Sequence, residues 1–389
     1  MKQHATAAIS LSMSVALDAI RFLAACLVFL HHAGFEKLGT KIPWRLTQTG
    51  AEPVIAFFVL SGFVVALAAE TRDRSFADYA MSRAARLLSV AAPALILTVA
   101  LDSIGEMLFP VLYGDQWRDA ATVADLNTPP AMRFVVAAVF LNEIWALNLW
   151  PGTNSPFWSL GYEAIYYVIF GILFYAEASW RRSALLGLVC LIAGPKILLL
   201  LPVWLMGVAA WRLYRQTTQT PMAGAALCVA SISAYVLFMT SGARHVLDRW
   251  TDHLTAGLPE TLLGLSNHFL SSYVSGLLFA AFLFGLKGLE TKFESLLSVA
   301  APWIRAAAAC TFSMYLFHYP LLFFFRALAA VLLGQQDLAI RSWPVTAIVL
   351  IGAGAAVYLL ARLTEQKKTE VRDMISAALL IFFRPSKIA

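Results

Sequence analysis

Leu17-Asp18-Ala19-Ile20-Arg21 opens a segment in which ten largely apolar residues follow and His32 stands near the far end. On a helix, Arg21 and His32 are close to three turns and roughly 16 Å apart, about half a bilayer core, so both can share one face. Ionisable groups inside a membrane span are costly and usually face a polar cavity or pathway. The stretch reads either as the wall of a reaction chamber or as a flanking arginine anchor with a packed, hydrogen-bonded histidine.

The rest of the chain supports a membrane setting. It is 389 residues long, 60% hydrophobic and 13% charged, with a mean hydropathy of +0.72. That composition implies an all-α, polytopic membrane protein and excludes a soluble domain of this length. The net charge of +6 is not a nucleic-acid signal, because Lys and Arg in such a chain mark cytoplasmic loops. Cys26, Cys190, Cys228 and Cys310 sit in apolar runs without C-x-x-C spacing and read as small buried hydrophobes. Lys2 precedes a mildly apolar stretch, but Asp18 and Arg21 interrupt it and no A-x-A site follows, so no cleaved signal peptide is expected.

Apolar segments recur at about 16–34, 52–70, 87–109, 158–176, 183–200, 201–214, 222–241, 267–287, 306–328 and 343–362. An eleventh, 133–149, carries Asn142, Glu143 and Asn148. If it spanned, Arg181-Arg182, Arg212, Arg215, Lys287, Lys292, Arg305 and the basic tail would fall outside, against the positive-inside rule. As a re-entrant or interfacial segment on the outer side it returns them to the cytoplasm with Arg72, Arg74, Arg83 and Arg86. Lys37, Lys41, Arg45, Arg118, Arg244 and Arg249 then stay outside. About ten spans, both termini cytoplasmic, is the expected layout. Pro151-Gly152 and Asn154 beside the half-entered segment place a polar cavity near the start of the 158–176 span. The loop at 110–132, with Asp115, Asp119, Asp125 and Pro129-Pro130, reads as an outer loop, and Met374–Phe383 as an interfacial helix. The chain reads as one membrane domain, 1–389, with a core of about 14–362 and a cytoplasmic amphipathic tail, 363–389.

Four places carry candidate chemistry. Arg21 and His32 are the first. Arg83-x-x-Arg86 puts two guanidiniums on one helix face, an arrangement that suits phosphate but also serves as a topology anchor. Trp158-Ser159-Leu160-Gly161-Tyr162-Glu163, with Tyr166-Tyr167, places a carboxylate inside a span, where it either orients a histidine or bonds a neighbouring helix. In Ser313-Met314-Tyr315-Leu316-Phe317-His318-Tyr319-Pro320, the bland reading is that His318 satisfies a carbonyl freed by the proline. No histidine or carboxylate set has metal-ligand spacing.

Taken in order, these stretches make the chain similar to the acyltransferase-3 family of integral membrane O-acyltransferases. The matching motifs are L-D-x-x-R with a later H (Leu17, Asp18, Arg21, His32) and F-F-x-x-S-G-F (Phe57, Phe58, Ser61, Gly62, Phe63). R-x-x-R (Arg83, Arg86), W-S-L-x-x-E-x-x-[FY]-Y (Trp158, Ser159, Leu160, Glu163, Tyr166, Tyr167) and S-x-Y-L-x-H-x-P (Ser313, Tyr315, Leu316, His318, Pro320) follow. The chain departs where Leu87-Leu88-Ser89 replaces an I-Y-P-like run, and where His31 adds a second histidine.

The resemblance implies acyl transfer from a coenzyme A thioester, with acetyl-CoA the expected donor, to a hydroxyl of an exported or cell-surface glycan at a bacterial inner membrane. It implies Arg83 and Arg86 on the CoA phosphates, and Arg21 assisting there or at the thioester oxyanion. His32 is then the general base and Glu163 its orienting partner. Many bacterial members carry an appended hydrolase-like domain. None is read here, so the final transfer falls to the membrane domain or to a separate periplasmic partner. The rival readings are the same chemistry on a small molecule such as an antibiotic, and a proton-coupled exporter of lipid-linked sugars. An exporter would show paired broken helices in two halves, and no such pairing is found.

Overall fold

The computed structural model describes residues 9–43, 52–114, 128–335, 337 and 340–382. Lys2, Arg45, Arg118, the acidic trio Asp115, Asp119 and Asp125, and the end of the tail from Phe383 lie outside them. Helices account for nearly all regular structure, and no strand occurs among the described residues. They are α1 (Leu11–Ala33), α2 (Glu52–Thr71), α3 (Phe76–Leu108), α4 (Pro130–Ala138), α5 (Trp158–Tyr175), α6 (Trp180–Ala193) and α7 (Pro195–Gln216). Then come α8 (Pro221–Thr240), α9 (Ala243–Leu254), α10 (Phe269–Ala308), α11 (Thr311–Leu333), α12 (Trp343–Leu363) and α13 (Lys368–Phe382). Among the described residues, eight stretches are long and apolar enough to cross a bilayer; that of Glu260–Leu333 holds both α10 and α11, broken at Ala309-Cys310.

Caps explain several boundaries. Ser10 accepts from the Met13 amide to start α1, and Ser75 from the Asp78 amide to start α3. Two expected boundaries move. The pair at 183–200 and 201–214 becomes α6, 14 residues long, and α7, 22 residues long. The break falls at Gly194, whose φ is +79°, with Pro195 in the first turn of α7, where its missing N–H costs nothing. Pro202 is carried inside α7. At about 21 Å, α6 is too short to cross the core upright. Helix α10 runs for 40 residues, about 60 Å, so the next span begins at Thr311 and not at 306.

The 133–149 segment does not cross as a helix. Only Pro130–Ala138 is helical, and turns carry the chain from there to Phe157. Its polar residues anchor it. Lys196 on α7, fully buried, pairs with Glu143 at 2.9 Å and donates to Asn148 Oδ1 at 2.7 Å and to the Leu147 carbonyl. Trp150 Nε1 donates to Glu143 Oε1 at 3.1 Å. Burial lifts the Glu143 carboxyl to about 7, with Lys196 pulling it back down.

The centre of the bundle is aromatic, built from Phe58, Phe63, Tyr162, Tyr166, Trp204 and Trp211. Around it α2 and α7 approach backbone to backbone. A Cβ on Gly62 would stand 2.0 Å from the Trp204 carbonyl oxygen, and one on Gly207 1.9 Å from that of Val59. Gly62 is thus a packing residue, since only glycine permits that contact.

Contacts also sort the basic groups. Arg215 pairs with Glu70 at 2.6 Å, Lys287 donates to the Tyr214 and Thr217 carbonyls, and Tyr175 OH donates to the Asp73 carbonyl at 2.8 Å. Arg72, Arg74, Arg83, Arg86, Lys368 and Arg372 border one cavity together with Arg21. These groups gather at one end of the bundle, called here the arginine end. Lys37 sits beside His32 at the opposite, histidine end.

Candidate active site

Helix α1 joins two chambers. At the arginine end, a cavity of about 650 Å³ opens between α1, α2, α3 and α13. Its cations, Arg21, Arg72, Arg74, Arg83, Arg86, Lys368 and Arg372, outnumber Asp18, Asp73 and Asp78. Asp18 pairs with Arg21 at 3.5 Å, and Asp73 with Arg83 at 3.6 Å. Arg83 also lies against the Tyr79 and Tyr167 rings, and Arg86 against Phe312, contacts that hold guanidiniums in place. Burial raises the Asp73 carboxyl, while Arg83 draws it down.

Deeper in, Arg21, Arg83 and Arg86 continue into a narrow pocket of about 70 Å³ bordered by Ser61, Ser159, Glu163, Tyr167 and Tyr315. Glu163 Oε1 accepts from Ser61 Oγ and from Tyr167 OH, each at 2.5 Å. Trp204 Nε1 donates to Ser61 Oγ at 3.2 Å. The motif residues Ser61, Glu163 and Tyr167 therefore form one network facing the arginines.

At the histidine end, His32 lines a separate chamber of about 230 Å³ with Phe35, Lys37, Trp150, Trp158, Tyr319 and Phe323. Gly152, Thr153 and Ser155 complete its wall. The chamber lies near the start of the 158–176 span, where a polar cavity is expected, but its lining is largely aromatic. Asp102 on α3 fixes the Thr153 turn through the Thr153 amide at 2.8 Å and hydroxyl at 2.6 Å. Gly152 has φ +57° and would put a Cβ 2.1 Å from Asp102, so the turn demands glycine twice over.

Helix α11 supplies the far wall. Pro320 cannot donate to the Leu316 carbonyl, and that freed oxygen accepts from Asn154 Nδ2 at 3.0 Å. The expectation that His318 satisfies the freed carbonyl is therefore corrected. His318 Nδ1 lies 2.9 Å from the carbonyl oxygens of Met314 and Tyr315, and its Nε2 lies 3.0 Å from His32 Nδ1. His32 Nδ1 is also 3.1 Å from the Val28 carbonyl oxygen. On the wall of the narrow pocket, Ser159 Oγ and Tyr315 OH meet at 2.7 Å.

Arg21 and His32 thus both border interior cavities from one helix, and Arg83 and Arg86 join Arg21. Glu163, expected to orient His32, has its Oε1 held instead by Ser61 and Tyr167 among the arginines. The ring partner of His32 is His318. His31, stacked edge-on against His32 at 5.0 Å, does not line the chamber that His32 lines. Sequence reasoning missed Thr153 and Asp102 and the chamber role of Lys368 and Arg372. Asn154 was noted only as a neighbour of the Pro-Gly turn, and no local pattern ties it to a carbonyl 162 positions away.

The site agrees with the comparison to known families: residues 14–362 match a family model described as an acyltransferase domain. Comparisons with curated proteins and with solved structures each gave no match.

Proposed function

The chain belongs to the acyltransferase-3 family of membrane acyltransferases, and from that premise we propose that it moves an acetyl group from acetyl-CoA to a hydroxyl of an exported or cell-surface glycan. The observation that carries the reading is the pair of chambers strung along α1, one rich in arginine and one holding His32. Guanidinium groups in a cavity of about 650 Å³ fit the phosphates of a coenzyme A thioester, and the narrow pocket beyond fits its extended arm. By the positive-inside rule the arginine end is cytoplasmic, with both termini, in a bacterial inner membrane. The histidine end then faces outward, and its aromatic walls suit the apolar faces of sugar rings.

His32 removes the proton from the acceptor hydroxyl as its oxygen attacks the thioester carbonyl; the carbon–sulfur bond breaks and the leaving thiolate takes the proton back as free CoA. Arg21, at the other end of α1, joins Arg83 and Arg86 in holding the donor.

The test uses purified protein in nanodiscs with radiolabelled acetyl-CoA and a mixture of envelope glycans. Release of CoA with label on glycan, absent in His32→Ala, is the expected result. A parent protein that consumes no acetyl-CoA overturns the reading.

A further inference from the structure

We infer that His318 is the positioning residue for His32, holding it in the tautomer whose Nε2 carries the lone pair of the general base. The inference rests on the reading of His32 as that base. The hydrogen-bond partners fix the protons. His318 Nδ1 faces two carbonyl oxygens at 2.9 Å, and a carbonyl only accepts, so this nitrogen carries hydrogen. Neutral His318 then presents a lone pair at Nε2. That lone pair points at His32 Nδ1, 3.0 Å away, which also faces the Val28 carbonyl at 3.1 Å. Both neighbours are acceptors, so His32 Nδ1 carries hydrogen. The remaining nitrogen, Nε2, is left unprotonated on a ring that lines the histidine-end chamber.

The arrangement follows the logic of a catalytic triad with an unusual third member. A carboxylate would normally hold the imidazole and stabilise its charged form. Here a second imidazole does so, fully buried and without formal charge. When His32 accepts a proton at Nε2, its Nδ1–H becomes a stronger donor, and His318 Nε2 is already in place to receive it. His318 is itself aimed by α11, because Met314 and Tyr315 are one turn back on the same helix. Glu163, the charged alternative, is committed to Ser61 and Tyr167.

The first arm of the test does not require turnover. The full chain, labelled with ¹⁵N-histidine in nanodiscs, is examined by NMR, with the His32 signals assigned by their loss in His32→Gln. The expected spectrum shows protonated Nδ1 and unprotonated Nε2 for His32, and the opposite tautomer overturns the inference. The second arm compares His318→Gln, whose amide oxygen can accept from His32 Nδ1, with His318→Leu, which cannot. His318→Leu should lower kcat about a hundredfold with donor KM unchanged, and His318→Gln should recover most of that loss. Equal losses in both variants, with donor KM raised, would mark a merely structural residue and contradict the assignment. A parent protein that turns over no acetyl-CoA refutes the proposed function, while the NMR arm still decides the tautomer.

Discussion

The two chambers differ in how they hold charge. At the arginine end, guanidiniums stand among carboxylates and against aromatic rings, an arrangement that binds an anion while keeping each cation oriented. At the histidine end, the His32 ring meets a second imidazole and a backbone carbonyl, inside largely aromatic walls that also carry Lys37. On the proposed function, one chamber serves electrostatic capture and the other a proton transfer. A single helix, α1, registers them roughly 16 Å apart.

The largest expected effect of breaking this division is at His32. His32→Ala should reduce kcat by two to four orders of magnitude, on the order of what general-base catalysis supplies, while acetyl-CoA binding by equilibrium dialysis stays at the parental value. Removing both Arg83 and Arg86 should act on the other side of the comparison. Each charge-assisted contact is worth about 1.5–3 kcal/mol, so the double alanine variant should weaken donor binding by a hundredfold or more, with kcat at saturation falling far less.

Glu163→Gln sharpens the comparison, because the carboxylate belongs to the arginine chamber. Steady-state rates across pH should keep the acid limb set by His32 where it is in the parent. A displaced limb would mean that Glu163 reaches His32 during turnover, against its position here.

Effects read on stability, with little change in activity, should come from the scaffold. Lys196→Met leaves Glu143 buried without its cation, a change that costs about 3–5 kcal/mol in comparable buried pairs, and it should lower Tm more than Glu143→Gln. Gly62→Ala forces α2 away from α7 and should cost about 1–3 kcal/mol, read as a drop in Tm with little change in donor affinity.

Much of this layout was legible in the sequence. Apolar run lengths gave the helices, and the distribution of Arg and Lys placed 133–149 off the spanning path, a decision the short α4 and its turns agree with. The spacing of Arg21 and His32 gave two cavity-facing groups on one helix. What escaped was whatever depends on contacts between distant helices. Glu163 looked like a partner for His32 because both lie in spans, yet the side chain is taken by Ser61 on α2 and by Tyr167 one turn on. His318 looked self-satisfied because Pro320 follows it, yet the freed carbonyl went to Asn154. Helix boundaries slipped where glycine and proline compete, as Gly194 broke the run and Pro202 did not.

The central claim, that the donor is captured at the arginine end and spent at the histidine end, is tested most directly by sidedness. Proteoliposomes sorted by protein orientation would receive impermeant radiolabelled acetyl-CoA outside and envelope glycans sealed inside. Label should reach the enclosed glycan only in vesicles that expose the arginine end to the donor. Transfer from vesicles that expose only the histidine end would contradict the division of labour between the two chambers.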